Sequence, residues 1–251
     1  LGAAYAAQQR GDFESRDRYL SEARSNDAEH FEAIEITRAR LLERAGQVDE
    51  ARGVLEDLHE QGIRHRAIQR MLIEVLRRQE DWPALEKLLE KNRELRELPR
   101  VEIDNLRRET QAHRLIENSD PNLTWGQLTR RQRKDPVLKA AHARALINSG
   151  AVDEAEKFLR KAISRDWHGE LVRLYGHVRS NHLDEQLKRA EQWALAHEDD
   201  PDLLLTLARL HLENRHREKA RDFLLKAVRL GGTREGYLEL GLLLEIGRAH
   251  V

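Results

Sequence analysis

The amino-acid sequence predicts an all-α protein in which antiparallel helix pairs stack one after another. Ala, Leu, Glu and Arg dominate the composition and favour helices, whereas β-branched and aromatic residues are sparse, so little of the chain suits a strand. Residues 201–232 contain two apolar stripes at helical spacing, separated by a polar turn. Similar arrangements recur along the chain. Because one thin helix pair cannot bury its apolar side alone, the recurring pairs must pack on each other.

The stretch 201–232 defines the repeating unit. One face of its first helix consists of Leu204, Leu207, Ala208 and His211, and one face of its second helix consists of Ala220, Leu224 and Ala227. The small residues Ala208 and Ala220 allow the two helices to approach closely. A polar turn over 213–216 connects them. We interpret His211, which lies on the apolar face, as a packing histidine.

Copies of this unit surround the turn positions Gly11, Gly46, Glu80 and Gly150. Consecutive turns are about 34 residues apart, and the longer interval between Glu80 and Gly150 leaves room for one diverged copy. A helix–turn–helix unit with this period is typical of tetratricopeptide repeats. The chain resembles that family over most of its length. The resemblance predicts a right-handed α-solenoid of stacked antiparallel helix pairs.

The apolar periodicity and the capping signals predict the helices in order. Asn26 and Asp27 are expected to cap the second pair, and Pro83 suits the first turn of its helix. The predicted helices are 1–9, 13–25, 28–44, 47–60, 64–79, 83–95, 99–117 and 124–132, then the Gly150 pair, a short pair around Leu174 and Leu187, the 201–232 pair and a last helix from Thr233.

We expect a single helical-repeat domain over 1–245, with a diverged repeat at about 98–135. The divergence has two interpretations, a functional insertion or a packing adjustment. Residues 246–251 match the translation of a common sequencing adapter, so we expect a non-native tail there. The chain begins without Met inside a repeat helix and contains no apolar run near the ~20 residues of a membrane span, which predicts that any targeting segment lay upstream.

Four local strings narrow the resemblance. They are AAYAAQQRGD at 3–12, EITRARL at 35–41, WGQLTRRQRKDPVL at 125–138 and PDLLLTLARL at 201–210. Together, and in this order, they resemble the HemY family of bacterial inner-membrane proteins, which is associated with a late step of protohaem biosynthesis. In that family two N-terminal transmembrane helices precede a tetratricopeptide-repeat region. The resemblance implies a repeat domain on the cytoplasmic side of the inner membrane, with the anchor missing from this chain, and it transfers no catalytic residue.

The residue patterns predict a protein that is not an enzyme. Cysteine is absent, and no dinucleotide-binding, zinc-protease, P-loop or nucleophile-elbow motif occurs. His59 and His65 flank one turn, and His177 and His182 flank another; at the second a metal or haem-iron ligand competes with the interpretation as exposed turn histidines. We therefore expect no metal and no cofactor, with haem or a porphyrin retained only as a candidate ligand.

Arginine recurs on the first helix of successive pairs, the helix that lines the concave face in this repeat type. The candidate partner-binding residues are Arg40, Arg44, Arg70, Glu74, Arg77, Arg78, Arg144, Asn148 and Arg209. The guanidinium fork suits carboxylates and phosphates, so a peptide C-terminus, an acidic partner segment or porphyrin propionates would fit. The alternative is that these arginines pair with nearby glutamates, as Arg70 could with Glu74.

The balance of charge bears on the class of partner. The chain has 44 basic and 45 acidic residues, which argues against a general nucleic-acid binder, since such a protein would show a basic face. Two functions remain open. One is a membrane-tethered scaffold that binds haem-biosynthesis enzymes, and the other is a generic repeat adaptor for envelope assembly or another protein–protein interaction.

Overall fold

The computed structural model describes residues 1–27, 29–63, 65–90, 95 and 98–248, with only the helical backbone for 246–248. The chain divides into two compact units, Leu1–Thr110 and Gln111–Val251. One continuous repeat domain over 1–245 stays a prediction. The described part of the tail, 246–248, continues the last helix, and 249–251 lie outside the described residues.

The described residues are helical throughout their regular structure and include no strand, which confirms the all-α prediction. None of these helices is long and apolar enough to cross a bilayer. In order, they are α1 Gly2–Gln9, α2 Phe13–Asn26, α3 Phe31–Arg44, α4 Val48–Glu60, α5 Arg66–Arg78, α6 Trp82–Glu90, α7 Arg100–Glu117, α8 Pro121–Gln127, a short 3-10 helix Gln132–Lys134, α9 Pro136–Asn148, α10 Val152–Arg165, α11 Gly169–Tyr175, α12 Leu183–Ala194, α13 Pro201–Glu213, α14 Arg217–Arg229 and α15 Arg234–Arg248.

The predicted turns share one backbone geometry. Gly150 has φ +79°, its N–H donates to Ile147 O, and the next N–H, of Ala151, donates to Leu146 O at 2.9 Å. These two bonds satisfy carbonyls at the end of α9 and form a Schellman motif, which needs a left-handed residue. The same pattern recurs at Gly11, Gly46, Glu80 and Arg215, whose φ values are 73°, 77°, 55° and 63°.

The positions around these turns are buried as the repeat pattern predicts. Ala208 and Ala220 are both 0% exposed where α13 and α14 pack together. Equivalent small residues fill two of the other pairs, namely Ala39 with Ala51 and Ala143 with Ala155, again at 0% exposure. Small side chains here let the helix axes approach, so the apolar stripes interlock.

Arg16 breaks this pattern in the first pair. It occupies the place that Ala51 and Ala155 hold in later pairs, yet its side chain is 0% exposed. Its guanidinium donates to both carboxylate oxygens of Asp17, at 2.7 and 3.0 Å, and to Gln8 Oε1 at 3.1 Å. A buried charge needs such partners. The sequence reading did not single out this residue.

The structure moves several predicted boundaries. The helix expected over 124–132 begins earlier, at Pro121, because Asp120 accepts from the N–H groups of Asn122 and Leu123 and so caps α8. α8 ends at Gln127, and a separate 3-10 turn follows. The helix expected from residue 28 begins at Phe31, with Ala28 outside the described residues. Of the helix expected over 83–95, residues 91–94 also lie outside them.

The short helix α11 depends on a buried amide. Gln186 on α12 is 1% exposed, and its Nε2 donates to the carbonyls of Tyr175 at 2.8 Å and Val178 at 3.0 Å. Tyr175 is the last residue of α11 and Val178 lies three residues beyond it, in the region where carbonyls lack helical partners. Tyr175 also packs on Trp193, with ring centroids 4.8 Å apart. These contacts join α11 and α12 although α11 has only seven residues.

Candidate partner-binding face

Two candidate arginines, Arg40 and Arg44, lie on one face of α3. Arg40 precedes Glu43 by three residues and Arg44 by four, the spacing of neighbours on a helix surface. Arg40 and Arg44 are exposed, and neither has a hydrogen bond or ion pair within the described residues. Glu43 accepts from Arg78 on α5, at 2.9 Å. Arg40 and Arg44 thus place two positive charges one helical turn apart without carboxylate partners in the described part of the chain. Their repulsion slightly destabilises α3.

The arginines of α5 are paired across helices. Arg70 Nη2 donates to Glu102 on α7 at 2.8 Å, and Arg77 Nη2 donates to Glu109 on α7 at 2.9 Å. Glu74 lies 3.6 Å from Arg77 and 3.5 Å from Arg78, on the same helix. Arg70 therefore pairs with Glu102, one helix pair further along the chain, rather than with Glu74.

In the second unit, Arg144 on α9 donates to Glu170 on α11 at 2.8 Å. Asn148, one turn further along α9, is exposed. Arg173 on α11 in turn donates to Asp202 on α13 at 2.6 Å. The earlier helix supplies the arginine and the later helix supplies the acid at each of these contacts. We call this series of interhelical ion pairs the ladder.

Arg209 is placed differently from the exposed groove residue that the sequence predicts. Its side chain is 8% exposed, and α15 covers it. The guanidinium donates to Glu239 at 2.6 and 2.9 Å, to Glu235 at 2.8 Å and to the carbonyl of Arg173 at 3.3 Å. These four bonds make Arg209 the most deeply held candidate on the second unit. Its hydrogen bonding to Glu235, followed by its positive charge, lowers the pKa of that carboxyl.

The acidic members of the ladder were missed by the sequence reading. They are Glu102, Glu109, Glu170, Asp202, Glu235 and Glu239. The sequence does contain a signal that predicts these acids. Each acid follows its arginine by roughly one repeat period and lies on the first helix of the next pair. Glu43 on α3 shows the reverse order, since it pairs with the later Arg78 on α5.

The histidines that flank turns form no metal site in the structure as described. Within those residues no group of three or more His, Asp or Glu side chains is arranged to hold a metal ion. His59 is buried, whereas His177 and His182 are exposed. Desolvation, followed by the charge of Arg209, lowers the pKa of His177. His211 is 1% exposed and stacks on Phe223, with centroids 5.3 Å apart, as expected for a packing residue.

Comparison with known proteins places one helix pair in a family. The tetratricopeptide-repeat model matches residues 139–166, which cover most of α9 and all of α10. No curated protein matches the chain significantly.

Two solved structures are among those that the chain matches. One is a tetratricopeptide repeat protein from Parabacteroides merdae ATCC 43184, with 19% identity, 96% of this chain and 95% of that chain covered, and a TM-score of 0.42. The other is YrrB, described as a TPR protein with an unusual peptide-binding site, with 15% identity, coverage of 88% and 96%, and a TM-score of 0.33. Since both scores are below 0.5, the assignment rests on the repeat match and the observed helix pairing. The fold is of the tetratricopeptide-repeat type, which typically serves as a non-catalytic scaffold for protein partners.

Proposed function

We propose that this chain is a non-catalytic scaffold that binds a carboxylate-bearing segment of a protein partner on the faces where the first helices meet. The observation that supports this most directly is the pair Arg40 and Arg44, which are exposed on one face of α3 and have no acidic partner within the described residues. Two guanidinium groups one helical turn apart can bind one carboxylate or two neighbouring carboxylates.

The ladder assigns different roles to the other candidates. Arg70, Arg77 and Arg78 already contact Glu102, Glu109 and Glu43, so an incoming acid must displace a carboxylate to reach them. Arg40 and Arg44 require no such displacement. The paired arginines of α5 and Glu74 therefore add contacts at the margin of the α3 site. In the second unit, Arg144 and Asn148 offer contacts on α9, and Arg209 holds α15 against α13 instead of facing a partner.

The HemY resemblance suggests the partner. We propose that the full-length protein is anchored in the bacterial inner membrane, with the repeats on the cytoplasmic side, and that its partners are enzymes of late haem biosynthesis. A porphyrin is a second candidate ligand, because its propionates carry the same carboxylate chemistry. A generic adaptor for envelope assembly would use the same face with different partners.

The test is affinity capture from bacterial membrane extract with the chain as bait, followed by titration of the captured partner. Arg40→Ala with Arg44→Ala should weaken binding by about 1–3 kcal/mol, because charge-assisted bonds are lost. Arg70→Ala with Arg77→Ala should also weaken it, by less, because these arginines are already paired with Glu102 and Glu109 and contribute less to an incoming carboxylate. Lys157→Ala, on the second helix α10, is the control.

The outcomes separate the alternatives. Capture of haem-biosynthesis enzymes that depends on Arg40 and Arg44 supports the complete proposal. Capture of envelope-assembly proteins with the same dependence supports the adaptor. If the double arginine variants bind normally and Lys157→Ala abolishes capture, the partner binds the second helices instead. Absorbance titration with protoporphyrin tests the second candidate ligand. If the Arg40→Ala, Arg44→Ala variant binds protoporphyrin as tightly as the parent does, the porphyrin is no longer a candidate ligand for this face.

A further inference from the structure

A basic pocket lies in the second unit, away from the ladder. Its volume is about 650 Å³, within the range of ligand sites, and its walls come from α8, the 3-10 helix, α9 and α10. Five cationic side chains and one carboxylate line it, together with two aromatic rings and Ala162. The charged residues are Arg133, Lys134, Lys139, Lys161, Arg165 and Asp166, and the aromatic residues are Trp125 and Phe158.

Most of this positive charge is not neutralised. Lys134, Lys161 and Arg165 are exposed and have no ion-pair partner within the described residues. Arg133 donates from Nε to Leu128 O and from Nη2 to Gly126 O, both at 2.9 Å, and these neutral acceptors hold the guanidinium in place without cancelling its charge. Only Lys139 meets a carboxylate, that of Asp166 at 3.6 Å.

The aromatic side chains of the pocket pack against one another and against His142. Trp125 stacks on His142, with centroids 4.6 Å apart, and meets Phe158 edge-on at 5.3 Å. His142 is 2% exposed, and burial lowers its pKa to about 4, so it is neutral near pH 7 and adds no charge. Its packing between Trp125 and Phe158 fixes both rings. Preformed rings can bind an apolar side chain at little entropic cost.

We propose that this pocket binds an acidic peptide segment of a partner protein that carries an aromatic side chain among its carboxylates. The cationic rim would pair with the carboxylates, and Trp125 and Phe158 would cover the ring. A bare inorganic anion would leave both aromatic side chains in water. Nucleic acid is disfavoured, because the positive charge is confined to one pocket in a chain of balanced charge instead of forming an extended stripe.

The pocket shares no residue with the proposed arginine face, so the two proposals can fail independently. Arg40, Arg70 and Arg77 belong to the first unit, whereas every residue that lines the pocket belongs to the second. The pocket also gives the diverged region a use, since α8 and the 3-10 helix supply three of its lining residues.

The test uses the whole chain and fluorescein-labelled Asp-Glu-Phe-Asp-Glu, with binding followed by anisotropy. Lys161→Glu with Arg165→Glu should weaken binding by at least about tenfold, because two attractive contacts become repulsive. Lys188→Glu with Lys219→Glu makes the same change in net charge at exposed positions outside the pocket and should change affinity less than about twofold. Replacing Phe by Ser in the peptide should weaken binding several-fold.

Four results would overturn the proposal: no binding of the peptide at low salt, equal losses in the two double variants, no effect of the Phe replacement, or displacement by oligothymidylate of equal charge as effective as by unlabelled peptide. Inorganic phosphate should displace the peptide no better than chloride at the same ionic strength. If Lys161→Glu with Arg165→Glu alters the circular dichroism spectrum, Lys161→Ala with Arg165→Ala replaces it, with the same expected direction. Arg70→Ala with Arg77→Ala should leave this binding unchanged.

Discussion

Arg78 on α5 and Glu43 on α3 form an ion pair of 2.9 Å that joins the first helices of two consecutive pairs. The glutamate is flanked on its own helix face by Arg40 and Arg44, which have no acid of their own within the described residues. One contact thus links the packing of neighbouring repeats to these two arginines of α3. Loss of Arg78 would release Glu43 toward these two arginines.

The ladder contacts should differ in their effect on stability according to their burial. Arg209→Ala should lower the free energy of unfolding by about 2–4 kcal/mol, because a guanidinium that is nearly inaccessible to water holds two carboxylates and a carbonyl. Arg70→Ala should cost only about 0.2–1 kcal/mol, since its pair with Glu102 is solvent-exposed. Urea unfolding of both variants measures the difference. Equal midpoints would mean that α15 does not cover Arg209.

At turn positions with positive φ, adding a side chain to glycine should lower the stability, and replacing another residue by glycine should raise it. Gly150→Ala should destabilise the protein by about 1 kcal/mol, because φ is +79° there and an L-residue is strained. Arg215→Gly, at φ 63°, should stabilise it by up to about 1 kcal/mol. Both are measured as shifts in the urea midpoint.

The matched control for the turn variants is Gly53→Ala. Gly53 lies inside α4, has open space around it and has no positive φ, so alanine should stabilise that helix by roughly 0.5–1 kcal/mol. If Gly53→Ala lowers the stability as much as Gly150→Ala does, the loss at Gly150 comes from crowding by the added methyl group and not from the positive φ of the turn.

A larger side chain at a close helix crossing should be costly. Ala220 is 0% exposed where α14 packs on α13, so Ala220→Leu should destabilise by roughly 1–3 kcal/mol through overpacking. Lys219→Leu adds an apolar side chain at the exposed neighbouring position and should change the urea midpoint little. Normal stability of Ala220→Leu would place the crossing elsewhere.

His142 should make the stability depend on pH. Burial lowers its pKa to about 4, an effect that the Pro121 backbone partly opposes, whereas an unfolded histidine titrates near ~6.5. Between these values the unfolded chain binds more protons than the native one, so stability falls as the pH drops from ~6.5 to ~4, by roughly 2–3 kcal/mol. His142→Gln, which does not titrate, should reduce that slope. The control is His65→Gln, an exposed position where the slope should persist.

The local parts of the fold were predictable from the sequence, and the contacts between repeats were not. Gly46, Gly150 and the apolar positions around them follow from helical periodicity and turn chemistry, which act over a few residues. The partner of Arg70 could not be read in the same way, because Glu74 and Glu102 are both plausible acids and only the distance between α5 and α7 decides between them. Burial of Arg209 likewise depends on how α15 packs.

The candidate pocket was still harder to foresee. Its residues come from four consecutive segments, and the sequence between 119 and 136 has no regular period to align them. Asp120 starts α8 before the expected position, which sets where Trp125 lies relative to His142 and Phe158. The string around Trp125 is visible in the sequence. The neutral state of His142 and the presence of Lys161 and Arg165 in the same pocket as Trp125 depend on tertiary packing.

The direction of the ladder in the second unit has a consequence for how such a chain can lengthen. α11 offers Glu170 to the helix before it and Arg173 to the helix after it, and α13 repeats this with Asp202 and Arg209. Each of these contacts in the second unit therefore has its arginine on the earlier helix and its acid on the later helix. A tandem duplication of α11 and α12 would create new joints whose charges already match, so we expect a gene with that duplication to encode a folded, longer array. Its urea unfolding midpoint should be no lower than that of the parent.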